Sequence, residues 1–274
     1  MIIDTHCHYN LKPLVDDWRG YWQAAQAAGV VGSIIVGTSV ETSKTGLDIA
    51  GQEQNLFVSL GIHPTESGRS IQLGDTQSLQ QAINELRKLS TSPKVIAIGE
   101  CGLDYFRLTD QREQEIELQH KMLEEQLTLA EELRLPIVIH LRDSQEDAYR
   151  DFLKILKRTA TRQQSFILHC VSGPIDFIQE CVSLGAYIGV AGNVSYPNSG
   201  RIREIVTTVP ADRILVETDA PFLPPQVSRG KTCEPQMIQW TVEYISTEFG
   251  YSPEKLLKNT IALFPQFKSI YETK

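Results

Sequence analysis

Met1-Ile2-Ile3-Asp4-Thr5-His6-Cys7-His8 opens the chain. Its β-branched start reads as a strand, and the strand runs into Asp-x-His-x-His. Alternate side chains of an extended segment share one face. Asp4, His6 and His8 are therefore expected to point the same way, with both imidazoles at the strand's exit. Two imidazoles so placed make half of a transition-metal site. The pattern recurs downstream. Further candidate strands are Ser33–Thr38, Phe57–Gly61, Val95–Gly99, Ile137–His140, Phe166–His169, Tyr187–Val190 and Ile214–Glu217, after the first at Ile2–His6. Several run almost continuously apolar, as strands buried on both faces do.

Amphipathic stretches lie between them. The clearest spans Asp110 to Leu133, where Asp110 with Glu113 reads as a capping box and Ile116, Leu123, Leu127 and Ala130 form one apolar stripe. Ser252-Pro253 reads as a cap with proline at the first helical position. Eight strands alternating with helices in 274 residues predict a single-domain α/β fold over 1–274, a closed (β/α)8 TIM barrel. The competing open doubly wound sheet lacks its glycine-rich fingerprint here and would spread the strand ends too far apart. The polar stretch 66–78 reads as a loop on the catalytic rim.

Composition is that of a soluble globular protein, 41% hydrophobic and 22% charged. No apolar run approaches the ~18 residues of a membrane span, and no signal peptide fits the first residues. Cys7, Cys101, Cys170, Cys181 and Cys233 are odd in number and scattered, which points away from a disulfide framework and towards the cytoplasm. A net charge of −8 excludes a broad basic coat for duplex nucleic acid. It leaves room for a nuclease that grips a few phosphates in one cleft beside a divalent cation. The aromatic residues are few and dispersed and offer no obvious base-stacking platform.

The strand ends carry the chemistry. They are His6 and His8; His63 in Gly61-Ile62-His63-Pro64; Glu100 in Gly99-Glu100-Cys101-Gly102-Leu103-Asp104-Tyr105; His140 before Arg142-Asp143; His169 in His169-Cys170-Val171-Ser172-Gly173; and Glu217-Thr218-Asp219-Ala220-Pro221. Of six histidines only His120 lies elsewhere. Catalytic groups of barrels sit at this face.

In these motifs, with Arg229-Gly230-Lys231, Glu234-Pro235 and Asn259 before Phe264, the whole chain resembles the TatD family of metal-dependent deoxyribonucleases, within the amidohydrolase-like barrel superfamily. The resemblance implies two divalent ions, Mg, Mn or Zn. His6, His8 and Asp219 hold one, His140 and His169 the other, and Glu100 bridges them. It implies DNA as substrate, cut at single-stranded or 3′ ends by a metal-bound hydroxide, with Asp219 as ligand alone or also as general base. Asp4 either orients a ligand histidine or makes a strand-end hydrogen bond. His63 either meets the phosphate or leaving group or shapes the Pro64 turn. Asp104 and Tyr105 position the substrate or brace Arg142 or Lys231. Arg142, Arg229 and Lys231 are phosphate candidates or solvated surface charges. Asp143 fixes Arg142 or caps the next helix. Cys7, Cys101 and Cys170 are expected to face the helices as small core residues, and His120 to pack on its helix. Three positions depart from the family pattern: Thr65 in place of a second histidine, Val171 where phenylalanine is common, and Cys233 where asparagine is usual. The alternative activity is that of an amidohydrolase or esterase acting on a small amide, lactone or phosphate ester. A non-catalytic binding protein on the same barrel is a third reading. No membrane association is expected.

Overall fold

The computed structural model describes residues 1–66, 71, 74–159 and 165–272. Strands and helices alternate as β1 (Ile2–Cys7), α1 (Trp18–Ala27), β2 (Val30–Val36), α2 (Val40–Ala50), β3 (Leu56–Leu60), α3 (Thr76–Leu89), β4 (Val95–Asp104), α4 (Arg112–Leu133), β5 (Ile137–Arg142), α5 (Asp147–Thr159), β6 (Phe166–Leu168), α6 (Ile175–Ser183), β7 (Ala186–Val190), α7 (Gly200–Thr208), β8 (Ile214–Val216), α8 (Ile238–Phe249), α9 (Pro253–Leu263) and α10 (Lys268–Glu272). All eight strands are parallel and neighbour one another in sequence order. The fold is a single-domain (β/α)8 TIM barrel. Among the described residues no helix is long and apolar enough to cross a membrane.

Strand alternation sorts the core into two. Ile137 and Ile139 of β5 pack outward with helix residues such as Leu127 and Phe152. Val138, between them, joins Ile34, Val36, Ile96, Ile167 and Leu215 inside the ring, where Phe264 and Phe267 complete the fill. The same parity carries His140 and His169 inward, one step past that layer.

The ring closes where β1 meets the chain leaving β8. The Thr5 hydroxyl donates to the Val216 carbonyl at 3.0 Å. Asp219 N–H donates to the His6 carbonyl at 2.9 Å, and His8 N–H to the Ala220 carbonyl at 2.8 Å. Asp4 adds a side-chain lace: its carboxylate accepts from Thr218 N–H (3.0 Å), the Thr218 hydroxyl (2.7 Å) and His6 N–H (3.2 Å). A register shift between Asp4 and Cys7 interrupts strict alternation. Asp4 therefore makes the strand-end hydrogen bonds and does not share the face of His6 and His8.

The strands lie where expected, with informative end differences. β4 and β5 run on to Asp104 and Arg142, pairing Gly102 with His140 and Asp104 with Arg142. β6 and β8 stop before His169 and Glu217. The expected capping box is replaced: Gln111 precedes α4 without a side-chain cap, and Thr109 N–H and hydroxyl bond the Glu115 carboxylate at 3.0 and 2.6 Å. Ser252 caps α9 as expected, accepting from Lys255 N–H. Part of the expected rim loop, 67–70 and 72–73, lies outside the described residues. Its last part is helix, since α3 begins at Thr76 with Asp75 accepting from Gln77 and Ser78 N–H.

Candidate metal centre

Glu100 stands at the middle, and glycines make room for it. Gly99 adopts φ +114°, open chiefly to glycine. A Cβ on Gly61 of the β3 exit would collide with the Gly99–Glu100 backbone.

The two carboxylate oxygens face different imidazoles. Oε2 lies 3.4 Å from His6 Nε2 and 3.8 Å from His8 Nε2. Those nitrogens are 3.2 Å apart, and Asp219 Oδ1 lies 3.6 and 3.4 Å from them. Four donors around a tetrahedral ion with bonds of ~2.1 Å stand roughly 3.4 Å from one another, so this set has the spacing of a cation site. His8 Nδ1 is hydrogen-bonded to the Val36 carbonyl at 2.9 Å. With that nitrogen as the donor, Nε2 keeps its lone pair.

Oε1 faces His140 Nδ1 at 2.9 Å, His169 Nε2 at 3.3 Å and His63 Nε2 at 3.5 Å. Each ring is held from behind. His169 Nδ1 meets Glu217 Oε1 at 3.1 Å, and that oxygen also accepts from Cys170 N–H at 2.6 Å. His140 Nε2 meets Asp104 Oδ2 at 3.2 Å. His63 Nδ1 accepts from Thr65 N–H at 3.1 Å and lies 2.8 Å from the Thr65 hydroxyl. That bond puts the proton of a neutral His63 on Nε2. Three groupings thus have the closeness of ligands: His6–His8–Glu100, His6–His169–Glu217 and His63–Glu100–His140. Imidazole with carboxylate suits Zn, Mn, Fe or Ni and accommodates Mg when other oxygens complete the shell.

Burial opposes every charge here, and neighbours decide the outcome. Burial raises Glu100, but the His169 and His63 charges and hydrogen bonds from His140 and His169 hold it well below the carboxylate range. Asp219 is likewise lowered against burial, first by His8. Burial depresses His169, yet Glu100 and Glu217 raise it well above the usual imidazole value. His8 is raised against burial by Asp219, and His140 by Asp104 and Glu100. Burial and the His169 charge lower His6. Burial and His140 bring His63 down to about 3. The facing carboxylates thus make His8, His140 and His169 hold a proton more firmly, and a cation would compete with those protons.

A mouth of about 1060 Å³ opens above the centre, lined in part by His8, His63, Glu100, His140, His169 and Asp219 with Arg107, Arg142 and Arg201. Arg142 is on its wall. Arg229 and Lys231 are not: the Arg229 guanidinium lies 4.2 Å over the Tyr196 ring, and both residues are exposed. Asp104 is fully buried. It serves His140 and Arg107, the latter at 3.4 Å, and has no surface for substrate. Tyr105 turns away, its hydroxyl 2.6 Å from His120 and 3.1 Å from Asp151. Asp143 caps α5, accepting from Gln145 and Ala148 N–H. Cys7 and Cys101 are core residues, whereas Cys170 lines the mouth, because φ +47° turns it out of the strand. Val171 and Cys233, at 2% and 1% exposure, are core positions.

Three supporting residues were given no role by the sequence reading. Glu217 is one. The others are Gln119 and Gln126, buried on α4. Gln126 bonds both N–H and carbonyl of Ile62 (2.7 and 3.0 Å), and Gln119 both of Asp104 (2.8 and 3.3 Å). Their signal was visible: two amides, two helical turns apart, within an apolar stripe.

Comparison with known proteins agrees along the chain's length. The profile of the TatD related DNases matches residues 3–267. An uncharacterized metal-dependent hydrolase of Bacillus subtilis, YabD, is 31% identical over 90% of each chain. The 3'-5' ssDNA/RNA exonuclease TatD of Salmonella typhimurium is 34% identical over 87% of each. The crystal structure of YjjV, a TatD homologue from Escherichia coli, superposes with a TM-score of 0.80 at 30% identity, covering 96% of this chain and 98% of that one. The chain therefore belongs to the TatD related DNase family of metal-dependent hydrolases.

Proposed function

We propose that the protein is a deoxyribonuclease that removes nucleotides from single-stranded or 3′ ends of DNA, with two divalent ions held at the strand ends. The observation that carries this reading is the division of Glu100. One oxygen faces His6 and His8, which converge with Asp219, and the other faces His140 and His169. His6, His8 and Asp219 would hold one ion, His140 and His169 the other, with Glu100 between. Bound there, the ions would supply Lewis acidity to a phosphodiester and lower the pKa of water.

The chain's own residues do the rest. Glu100 fixes the spacing of the two imidazole sets. Asp219 turns Oδ1 to the imidazoles, which leaves Oδ2 to take a proton from the attacking water. His63 presents a neutral N–H towards the centre, a donor for an oxygen of the substrate. Arg142 on the wall pairs with phosphate. Arg229 and Lys231 reach at most a distal part of the strand. The relative named as an exonuclease supports the same substrate class.

The test is hydrolysis of 3′-labelled single-stranded DNA by metal-stripped protein given Mg, Mn or Zn, beside Glu100→Ala. Metal-dependent release of nucleotides, lost in the variant, is the expected result. Cleavage persisting in Glu100→Ala refutes the bridging role. A net charge of −8 favours a second reading, hydrolysis of a small ester, lactone or amide. Failure to cut DNA with any ion would select it.

A further inference from the structure

Exposed large apolar side chains are more informative than buried ones when they cluster at a site. Among the described residues three are exposed: Phe106 (58%), Phe222 (51%) and Val227 (72%). Both phenylalanines line the mouth above Glu100. The dispersed aromatics of the sequence are thus regrouped by the fold. Phe106 follows β4 and Phe222 follows β8. In a ring of eight strands in sequence order, β4 and β8 stand diametrically opposite. The two rings therefore occupy opposite lips, with the candidate metal centre between them. Phe222 belongs to the His8 side, its ring 6.0 Å from that imidazole and nearly perpendicular. Phe106 belongs to the His140 side, with the Arg142 guanidinium 4.2 Å over its ring.

A hydrophobic ring held in water beside a phosphate-binding arginine has one common employment, stacking of a nucleobase. We propose that Phe106 and Phe222 are two base-stacking subsites, which hold the unpaired bases on either side of the phosphodiester placed over Glu100. The proposal rests on the phosphodiesterase reading and adds to it the recognition of the bases. Every base has a π-face, so the subsites are indifferent to sequence. They are not indifferent to pairing, because a base stacked on a protruding ring has left its duplex stack. Selectivity for single strands then comes from the lips rather than from a basic groove. That arrangement suits a chain of net charge −8.

The experiment compares a fluorescein-labelled single-stranded oligonucleotide with the same strand carrying abasic spacers at its 3′-terminal positions. Binding is read by anisotropy without added metal, and hydrolysis with Mn, in wild type, Phe106→Leu and Phe222→Leu. In wild type, loss of a stacked base weakens binding and kcat/KM about ten-fold. In each variant the abasic change at the matching position costs less than about two-fold, because the partner ring is already gone. An undiminished base penalty in both variants, or no base penalty in wild type, overturns the subsites and leaves the nuclease reading intact if hydrolysis persists. Base-dependent, phenylalanine-dependent binding without hydrolysis in Mg, Mn or Zn does the reverse: the subsites stand and the phosphodiesterase reading falls.

Discussion

Glu217 has no surface of its own, at 0% exposure, yet it sets the state of His169. By accepting a hydrogen bond from Nδ1–H it leaves Nε2 facing Glu100. Carboxylates behind a ligand histidine are worth 10–100-fold in metal affinity. Glu217→Gln is therefore expected to weaken Mn or Zn binding by about ten-fold or more, measured by calorimetric titration of metal-free protein. The same site has a predictable acid response. His8, His140 and His169 are raised, so each must release a proton that it holds more firmly than an ordinary histidine. Metal affinity is expected to fall as pH drops, with the decline already under way above the usual imidazole range. Titrations at pH 8 and pH 6 check it. The six residues of the centre were legible because strand ends offer few other reasons for histidines. Glu217 was not, because an acid one residue from Asp219 looks like a neighbour until the fold turns it under His169. Arg229 and Lys231 show the converse: their motif position was legible, but their distance from the mouth is a property of the loop.

At the scale of the element, α4 does more than cover the sheet. Its apolar stripe, readable from Ile116, Leu123, Leu127 and Ala130, buries Gln119 and Gln126 as well. Gln126 satisfies both backbone groups of Ile62, the residue before His63. Gln126→Leu strands that N–H and carbonyl in the interior and is expected to cost about 2–3 kcal/mol, read by urea denaturation. The start of α4 offers a contrast. Glu115→Ala removes two bonds to Thr109 and is expected to lower stability by about 1–2 kcal/mol, whereas Glu113→Ala leaves it within about 0.5 kcal/mol. The sequence placed the cap on Asp110 and Glu113, because spacing alone does not reveal that the helix starts one residue later, after Gln111. α4 also meets α5 through His120, Tyr105 and Asp151. Burial holds His120 below its ordinary value, and Asp151 is lowered against burial by Lys154 and Tyr105. The unfolded chain binds more protons at both, so the His120 contribution to stability is present near neutrality and drains away as pH falls below about 6.5, and the Asp151 contribution only below about 4. Wild type is expected to lose stability relative to His120→Gln between pH 7.5 and pH 5.5, read from their melting temperatures.

Over the whole molecule, barrel topology was legible from strand count and from strand ends that needed a common mouth. The side chains that lace the closure were not. Asp4 looked like a third member of the metal face. A register shift instead sends it to Thr218, a residue 214 positions away, where it joins first strand to last. Asp4→Ala leaves two buried Thr218 donors and His6 N–H without their acceptor, an expected loss of about 2–4 kcal/mol. Denaturation of metal-free protein separates this loss from any change in metal binding.

The seam between β1 and β8 has a bearing on how the protein comes into being. In the order of synthesis His6 and His8 precede Asp219 by more than 200 residues. Until Asp219 has been made, the nascent polypeptide carries only part of its proposed chelate, with no β8 to hold the first strand in place. Completion of the ring and completion of the metal set are the same event, marked by the Asp219 N–H reaching the His6 carbonyl. A product terminated before Asp219 lacks one member of the proposed chelate, and the hydrolytic activity proposed for this chain is withheld until synthesis has passed that residue.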